Sequence, residues 1–176
     1  ILMLFILGIS LIIMYLWNIQ HDLPDHNISQ YFPNEITKIY DEKYELMYHV
    51  GNRDRFYLDY EDIPENMINA IISAEDKTFF QHQGFDIKGI ANAFIINLKN
   101  IYSTNSTNYV GASTITQQLV KNILLNREQT ITRKIKELIL SLRIEQDYSK
   151  EFIIELYLNE IYFGRRSYGI ASASYN

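Results

Sequence analysis

The first seventeen residues, Ile1 to Trp17, read ILMLFILGISLIIMYLW and carry no charge. Few destinations suit such a run. A helix needs about 20 apolar residues to cross the hydrocarbon of a bilayer. Tyr15 and Trp17 stand at its end, where amphipathic rings favour the headgroup layer. A cleaved signal peptide has a shorter apolar region ending in small residues, and a buried core helix is the other alternative. The pattern favours a membrane signal-anchor over residues 1–17. The chain starts on Ile, so the apolar run is expected to have been longer. Beyond it come Asp22, Asp25 and Glu35 before the first basic residue, Lys38, a basic-poor flank of the kind expected on an exported side.

The chain has 176 residues, no cysteine and a net charge of −5. That length suggests one domain with an appendage. The absence of cysteine excludes a disulfide scaffold, a thiolate zinc site and a cysteine nucleophile. Net acidity argues against a general nucleic-acid binder. The charge is uneven, however: residues 1–110 balance to −7, residues 111–150 to +3 and residues 151–176 to −1. An anionic ligand such as a phosphate favours the middle stretch, although a solvated helix face gives the same balance.

Residues 18–62 read as a linker with Pro24 and Pro33, followed by two or three short strands among ITKIY, YELMYHV and RFYL. From Ile63 the pattern turns helical, and residues 63–176 form the expected core. Pro64 opens a helix through Ala74, and a second spans about Ile87 to Asn100. Polar residues 101–112 predict a mobile loop. Ser113 or a neighbour caps a helix to Leu125, another runs from about Thr130 to Asp147, and Ser149 caps a fifth to about Leu158. The fold class expected is mainly α, with a small β region near residues 36–60.

Four clusters carry possible chemistry. In Glu75-Asp76-Lys77-Thr78-Phe79-Phe80-Gln81-His82-Gln83-Gly84 two carboxylates, a cation and a His surround a helix end. Phe79 and Phe80 can wall a carboxylate, which raises its pKa and suits it to acid–base work. In Gly111-Ala112-Ser113-Thr114-Ile115-Thr116-Gln117-Gln118-Leu119-Val120-Lys121-Asn122 hydroxyls, amides and a lysine gather at a helix start, where backbone amides favour anions. Gln117, Gln118 and Lys121 share one neighbourhood by helical spacing. In Arg133-Lys134-Ile135-Lys136-Glu137 the acid stays ionised among cations, and could hold a divalent ion or arrange the cations around a diphosphate. A plain i, i+4 salt bridge, worth about 0.3–0.5 kcal/mol, is the simpler reading of that cluster alone. The fourth stretch, Lys150 to Gly164 followed by Tyr168-Gly169, reads as packing.

In this order the four clusters resemble the peptidoglycan glycosyltransferases (glycosyltransferase family 51), the domain of monofunctional transglycosylases and class A penicillin-binding proteins. EDKTFFQHQGFD is similar to the family's E-D-x-x-F-x-x-H-x-G, GASTITQQLVKN to G-G-S-T-I-T-Q-Q-x-x-K-N, RKIKE to R-K-x-x-E, and YLNEIYFGRRSYGI to Y-L-N-x-x-x-x-G-x-x-x-Y-G. The resemblance runs from about Ile36 to Asn176. Lys77 stands where the family usually has Arg, keeping the charge and losing the fork, and Ala112 replaces a Gly, stiffening the loop.

The resemblance implies a lysozyme-like fold with a membrane-embedded flank, and an enzyme that polymerises lipid II into glycan strands. It assigns Glu75 as general base on the acceptor 4-hydroxyl. That hydroxyl attacks the anomeric carbon of the growing chain with inversion, giving a β-1,4 link and releasing undecaprenyl diphosphate. Glu137 becomes the second functional carboxylate, with Arg133, Lys134 or a divalent cation (Mg2+ or Mn2+) at the diphosphate. Asp76, Lys77, Phe79, His82, Gly84, Ser113, Thr114, Thr116, Gln117, Gln118, Lys121 and Asn122 join the substrate site. No organic cofactor is expected.

The partners implied are lipid II, the growing glycan, the lipid bilayer and cell-wall synthesis and division proteins, without nucleic acid. The location implied is the cytoplasmic membrane, with the catalytic domain on the extracytoplasmic (periplasmic) side. A tethered enzyme meets a bilayer-borne substrate at raised effective concentration. Two rivals remain open: a lysozyme-like enzyme that cuts glycan with two carboxylates, and a non-catalytic membrane adaptor of the same fold. The family domain continues past Asn176, so poor activity of this fragment alone is expected.

Overall fold

The computed structural model describes residues 2–31, 37–50, 56–102, 110–126, 128–165 and 167–175. Helix α1 (Leu2–His21) has 20 residues, or about 30 Å at 1.5 Å per residue, enough for a bilayer's hydrocarbon. It is apolar over most of its length, and nearly all of that apolar stretch faces outward. It runs to His21 rather than stopping at Trp17, because no breaker precedes Pro24.

The stretch expected as a linker is tied down. Ile28 is fully buried, and Ile28 N donates to the Tyr148 hydroxyl at 3.0 Å. His26 meets Asp147 at 3.0 Å.

Strands β1 (Thr37–Tyr40) and β2 (Leu46–Val50) form an antiparallel hairpin. Asp41 closes its turn by accepting from Lys43 N at 2.8 Å and Glu45 N at 2.7 Å. Of the two or three strands expected, these two form, and Phe56–Leu58 of RFYL is not a strand. Side chains of the sixth helix satisfy that backbone instead: Asn159 Oδ1 accepts from Leu58 N at 2.9 Å, and Glu155 Oε2 from Tyr60 N at 3.0 Å. Most of the loop expected at 101–112 lies outside the described residues.

Among the described residues six α-helices follow the hairpin: α2 (Glu65–Glu75), α3 (Ile87–Tyr102), α4 (Ile115–Ile123), α5 (Ile131–Asp147), α6 (Lys150–Glu160) and α7 (Ile170–Tyr175). A short ribbon, β3 (Tyr162–Gly164) with β4 (Ser167–Tyr168), precedes α7. Three helices start on hydroxyl caps. Thr114 accepts from Gln117 N at 3.2 Å, Thr130 from Arg133 N at 3.1 Å and Ser149 from Phe152 N at 3.2 Å, each satisfying an orphan amide of a first turn. The cap of α4 is thus Thr114, the neighbour of Ser113.

The core lies among α4, α5 and α6. Ile115, Leu119, Val120, Leu140, Ile144, Ile153, Ile154 and Leu158 are fully buried. From Leu156 to Glu160 every residue of α6 is buried, so α6 is the central helix and needs no polar stripe. Helix α3 is the opposite case, with Ile87, Phe94 and Ile101 each more than 60% exposed.

Candidate active site

Helix α2 ends on Glu75, and the chain turns sharply at Asp76, whose N–H caps Ile72 O at 2.9 Å. The turn sends two neighbouring carboxylates different ways. Glu75 is exposed and borders a cavity of about 380 Å3 shared with Lys77, Asp86, Asn92, Ser113 and Thr114. Its Oε2 accepts from Gln118 Nε2 at 2.9 Å. Gln118 Oε1 in turn accepts from the Tyr157 hydroxyl at 3.2 Å. Burial, then the charges of Glu75 and Asp76, push the Tyr157 phenol above its ordinary pKa, so it stays a donor at neutral pH. This relay fixes which way the Gln118 amide faces.

Asp76 is turned inward, 7% exposed. Its Oδ2 accepts from Ile115 N at 3.1 Å and meets His82 Nε2 at 2.9 Å. A carboxylate at the start of α4 is also favoured by the helix dipole. The Thr114 hydroxyl donates to Gly84 O at 2.8 Å. Gly84 has φ +84°, and a Cβ there would meet the Ser141 backbone at 2.8 Å. Only glycine lets this loop lie so close against α5. In the cavity wall, the Gly89 N–H, aided by the Thr78 hydroxyl, holds Asp86 below the ordinary carboxylate range.

The second acid, Glu137, is 2% exposed on α5. Arg133 pairs with its Oε1, and Lys134 Nζ stands 2.9 Å from its Oε2. Lys134 also donates to Ser113 Oγ at 2.8 Å and Gln117 Oε1 at 3.2 Å. Burial, then the charges of Arg133 and Lys121, hold Lys134 below the usual lysine range. Helix α4 therefore stands between the acids: Gln118 serves Glu75, and its neighbour Gln117 faces the Lys134–Glu137 pair. Ser113 joins the two sides, bordering the Glu75 cavity while accepting from Lys134.

Several expectations need correction. Phe79 is fully buried, with Lys150 Nζ 4.3 Å from its ring centroid, and neither Phe79 nor Phe80 borders the Glu75 cavity. The wall beside Glu75 consists of small and polar residues. Thr116 is fully buried and donates to Glu145, so Phe79 and Thr116 support the site from behind. Gln117 and Gln118 face different partners, since adjacent helical residues diverge by about 100°. Lys77, Lys121 and Asn122 are exposed.

Tyr157, read as packing, orients Gln118 across 39 residues of sequence. Asp86 and Asn92 in the cavity wall carried no local signal. Among the described residues no three His, Cys, Asp or Glu side chains converge on a metal position. A larger cavity, about 680 Å3, lies at the end of α1 between His21, Leu125, Thr132 and Lys136, and contains neither acid.

The family model for transglycosylase matches residues 42–176. Penicillin-binding protein 1A of Rickettsia typhi is 40% identical over 174 residues, 98% of this chain and 22% of that protein. Penicillin-binding protein 1A of Aquifex aeolicus is 40% identical over 164 residues, covering 93% and 22%. Penicillin-binding protein 1A of Clostridium tetani is 46% identical over 143 residues, covering 81% and 18%. The chain thus spans about a fifth of the length of these curated relatives.

Proposed function

The chain belongs to the transglycosylase family, and from that premise we propose that it polymerises lipid II into peptidoglycan glycan strands, with Glu75 as general base. One observation carries this reading: an exposed carboxylate borders a cavity whose rim residue, Ser113, is held by a lysine of a buried acid–cation cluster. A base that removes a hydroxyl proton must be reachable by substrate. A departing diphosphate needs fixed cations.

In the proposed step Glu75 takes the proton of the acceptor 4-hydroxyl. The oxygen attacks the anomeric carbon of the growing chain as the carbon–oxygen bond to diphosphate breaks. The bonding pair leaves with undecaprenyl diphosphate, the anomeric centre inverts, and a β-1,4 link results. Lys134 and Arg133 face the developing phosphate charge, and Glu137 holds those two side chains in place. Gln118 fixes the orientation of the Glu75 carboxylate. The donor set at Glu137 does not fit a divalent cation held by protein alone, because cations already engage both oxygens. No step is routed through Mg2+ or Mn2+.

Helix α1 supports a membrane-anchored enzyme, and we place the catalytic domain on the extracytoplasmic side, where its basic-poor flank points. A glycan-cleaving enzyme would also use two carboxylates, but a second acid neutralised by two cations suits a diphosphate leaving group better. The test is chain growth from lipid II in bilayers by the full-length protein. Growth that Glu75→Gln abolishes supports the reading. Shortening of preformed glycan without growth favours the cleaving enzyme, and growth unchanged in Glu75→Gln removes the base assignment.

A further inference from the structure

One buried acid has no part in the step above. Glu145 lies on α5 beyond Glu137, and its side chain is 1% exposed. Its Oε1 accepts the Thr116 hydroxyl, and its Oε2 takes Lys150 Nζ at 2.6 Å. His82 Nδ1 stands 3.9 Å from Oε1 and makes no hydrogen bond of its own among the described residues. One carboxylate therefore hydrogen-bonds to both α4 and α6 and lies beside the loop after α2. A buried ionised group needs partners to be tolerated at all. Yet a buried ion pair often contributes no net stability over a well-packed apolar replacement. The useful question is what its partners hold.

They hold the surroundings of Glu75. Thr116 lies in the first turn of α4, two residues before Gln118. His82 meets Asp76, and Asp76 accepts from Ile115 N, the first residue of that helix. Glu145 accepts from Thr116, and at the preceding residue of α4 the Ile115 N–H is taken by Asp76; the other ring nitrogen of His82 comes no nearer Glu145 than 3.9 Å. Asp76 is also the chain neighbour of Glu75. The Gln118 side of the Gln118–Glu75 hydrogen bond is thus anchored through Thr116, and the Glu75 side through Asp76.

We infer that Glu145 is a positioning residue for the Glu75 site: through its hydrogen bond with Thr116 it fixes the first turn of α4 and with it the reach of Gln118 to Glu75. The inference rests on Glu75 as general base, and sub-ångström placement of such a group governs rate.

The test uses the full-length protein in bilayers, with Glu145→Gln, Thr116→Val and Thr116→Ser, each alone and combined with Gln118→Ala. Thr116→Val replaces the hydroxyl with a methyl, and Thr116→Ser keeps the hydroxyl, so these two carry the test should Glu145→Gln fail to fold. Glu145→Gln and Thr116→Val should speed amide hydrogen exchange at residues 115–118 by about tenfold while cooperative unfolding persists. They should lower kcat by about tenfold to a hundredfold, with KM held within about threefold. Thr116→Ser should restore both readouts, and neither change should add to the loss in Gln118→Ala. Unchanged exchange at 115–118, a loss that adds in full to Gln118→Ala, or Thr116→Ser as poor as Thr116→Val overturns the inference. If the unmodified protein makes no glycan, the functional reading falls, while hydrogen exchange still judges the role of Glu145.

Discussion

Glu75 and Asp76 are adjacent and both line the cavity, yet Glu75 is exposed while Asp76 is buried and tied to the start of α4. Their substitutions should therefore fail differently. Glu75→Gln keeps the Gln118 contact in shape and loses the base, so glycan synthesis should fall by about a hundredfold or more with the melting temperature unmoved. Asp76→Ala strands the Ile115 amide and the His82 ring, so stability should drop by about 1–3 kcal/mol, read as a lower denaturation midpoint. Lys134 gives a pH signature. A phosphate is attracted by the ammonium form, and Lys134 loses its proton at a lower pH than an ordinary lysine. As pH rises, its charge goes before that of exposed lysines. The KM for lipid II should therefore climb on the alkaline side, and Lys134→Arg should move that rise to higher pH, because guanidinium stays protonated. A pH–KM profile unaltered by Lys134→Arg would separate Lys134 from substrate binding.

Elements meet this site through close backbone approach as much as through side chains. The loop after α2 rests on α5 because Gly84 has no Cβ to strike the Ser141 backbone. Gly84→Ala should cost at least about 1–2 kcal/mol for its left-handed φ alone, and the contact at α5 adds to that. Thermal unfolding of that variant beside Gly111→Ala, whose Cβ would meet open space, isolates the effect. Helix starts were legible in sequence: hydroxyls before the apolar runs at 115, 131 and 150 became caps. The lack of a third strand near residue 57 was not. The residues there have strand-like chemistry, but Asn159 and Glu155, a hundred residues away, take the hydrogen bonds a sheet partner would have taken.

At the scale of the whole molecule, α1 is joined to the helical body rather than trailing from it. Tyr15 and Thr132 hydroxyls lie 2.8 Å apart, and Lys136 binds Asp22 through both its carboxylate and its carbonyl oxygen, the latter at 3.0 Å. Deleting α1 should lower activity on lipid II in vesicles far more than on substrate in detergent, because tethering confines enzyme and substrate to one surface. Comparing the two rates checks this, and equal losses in both media would assign α1 to folding instead. The exposed apolar side chains of α3 give the helical body an apolar face.

The sequence by itself determined the apolar span, the mainly α class, the order of the helices and the family, because these depend on local periodicity, capping residues and short motifs. It also named both acids and the cations near Glu137, since i, i+3 and i, i+4 neighbours meet on any helix. Only the tertiary structure decided that Phe79 and Thr116 face inward, that Gln117 and Gln118 part company, and that Tyr157 and Glu145 brace the helix between the acids. Those outcomes depend on which faces of α4, α5 and α6 are pressed together. Packing sets that choice between segments far apart in the chain, and no local pattern records it.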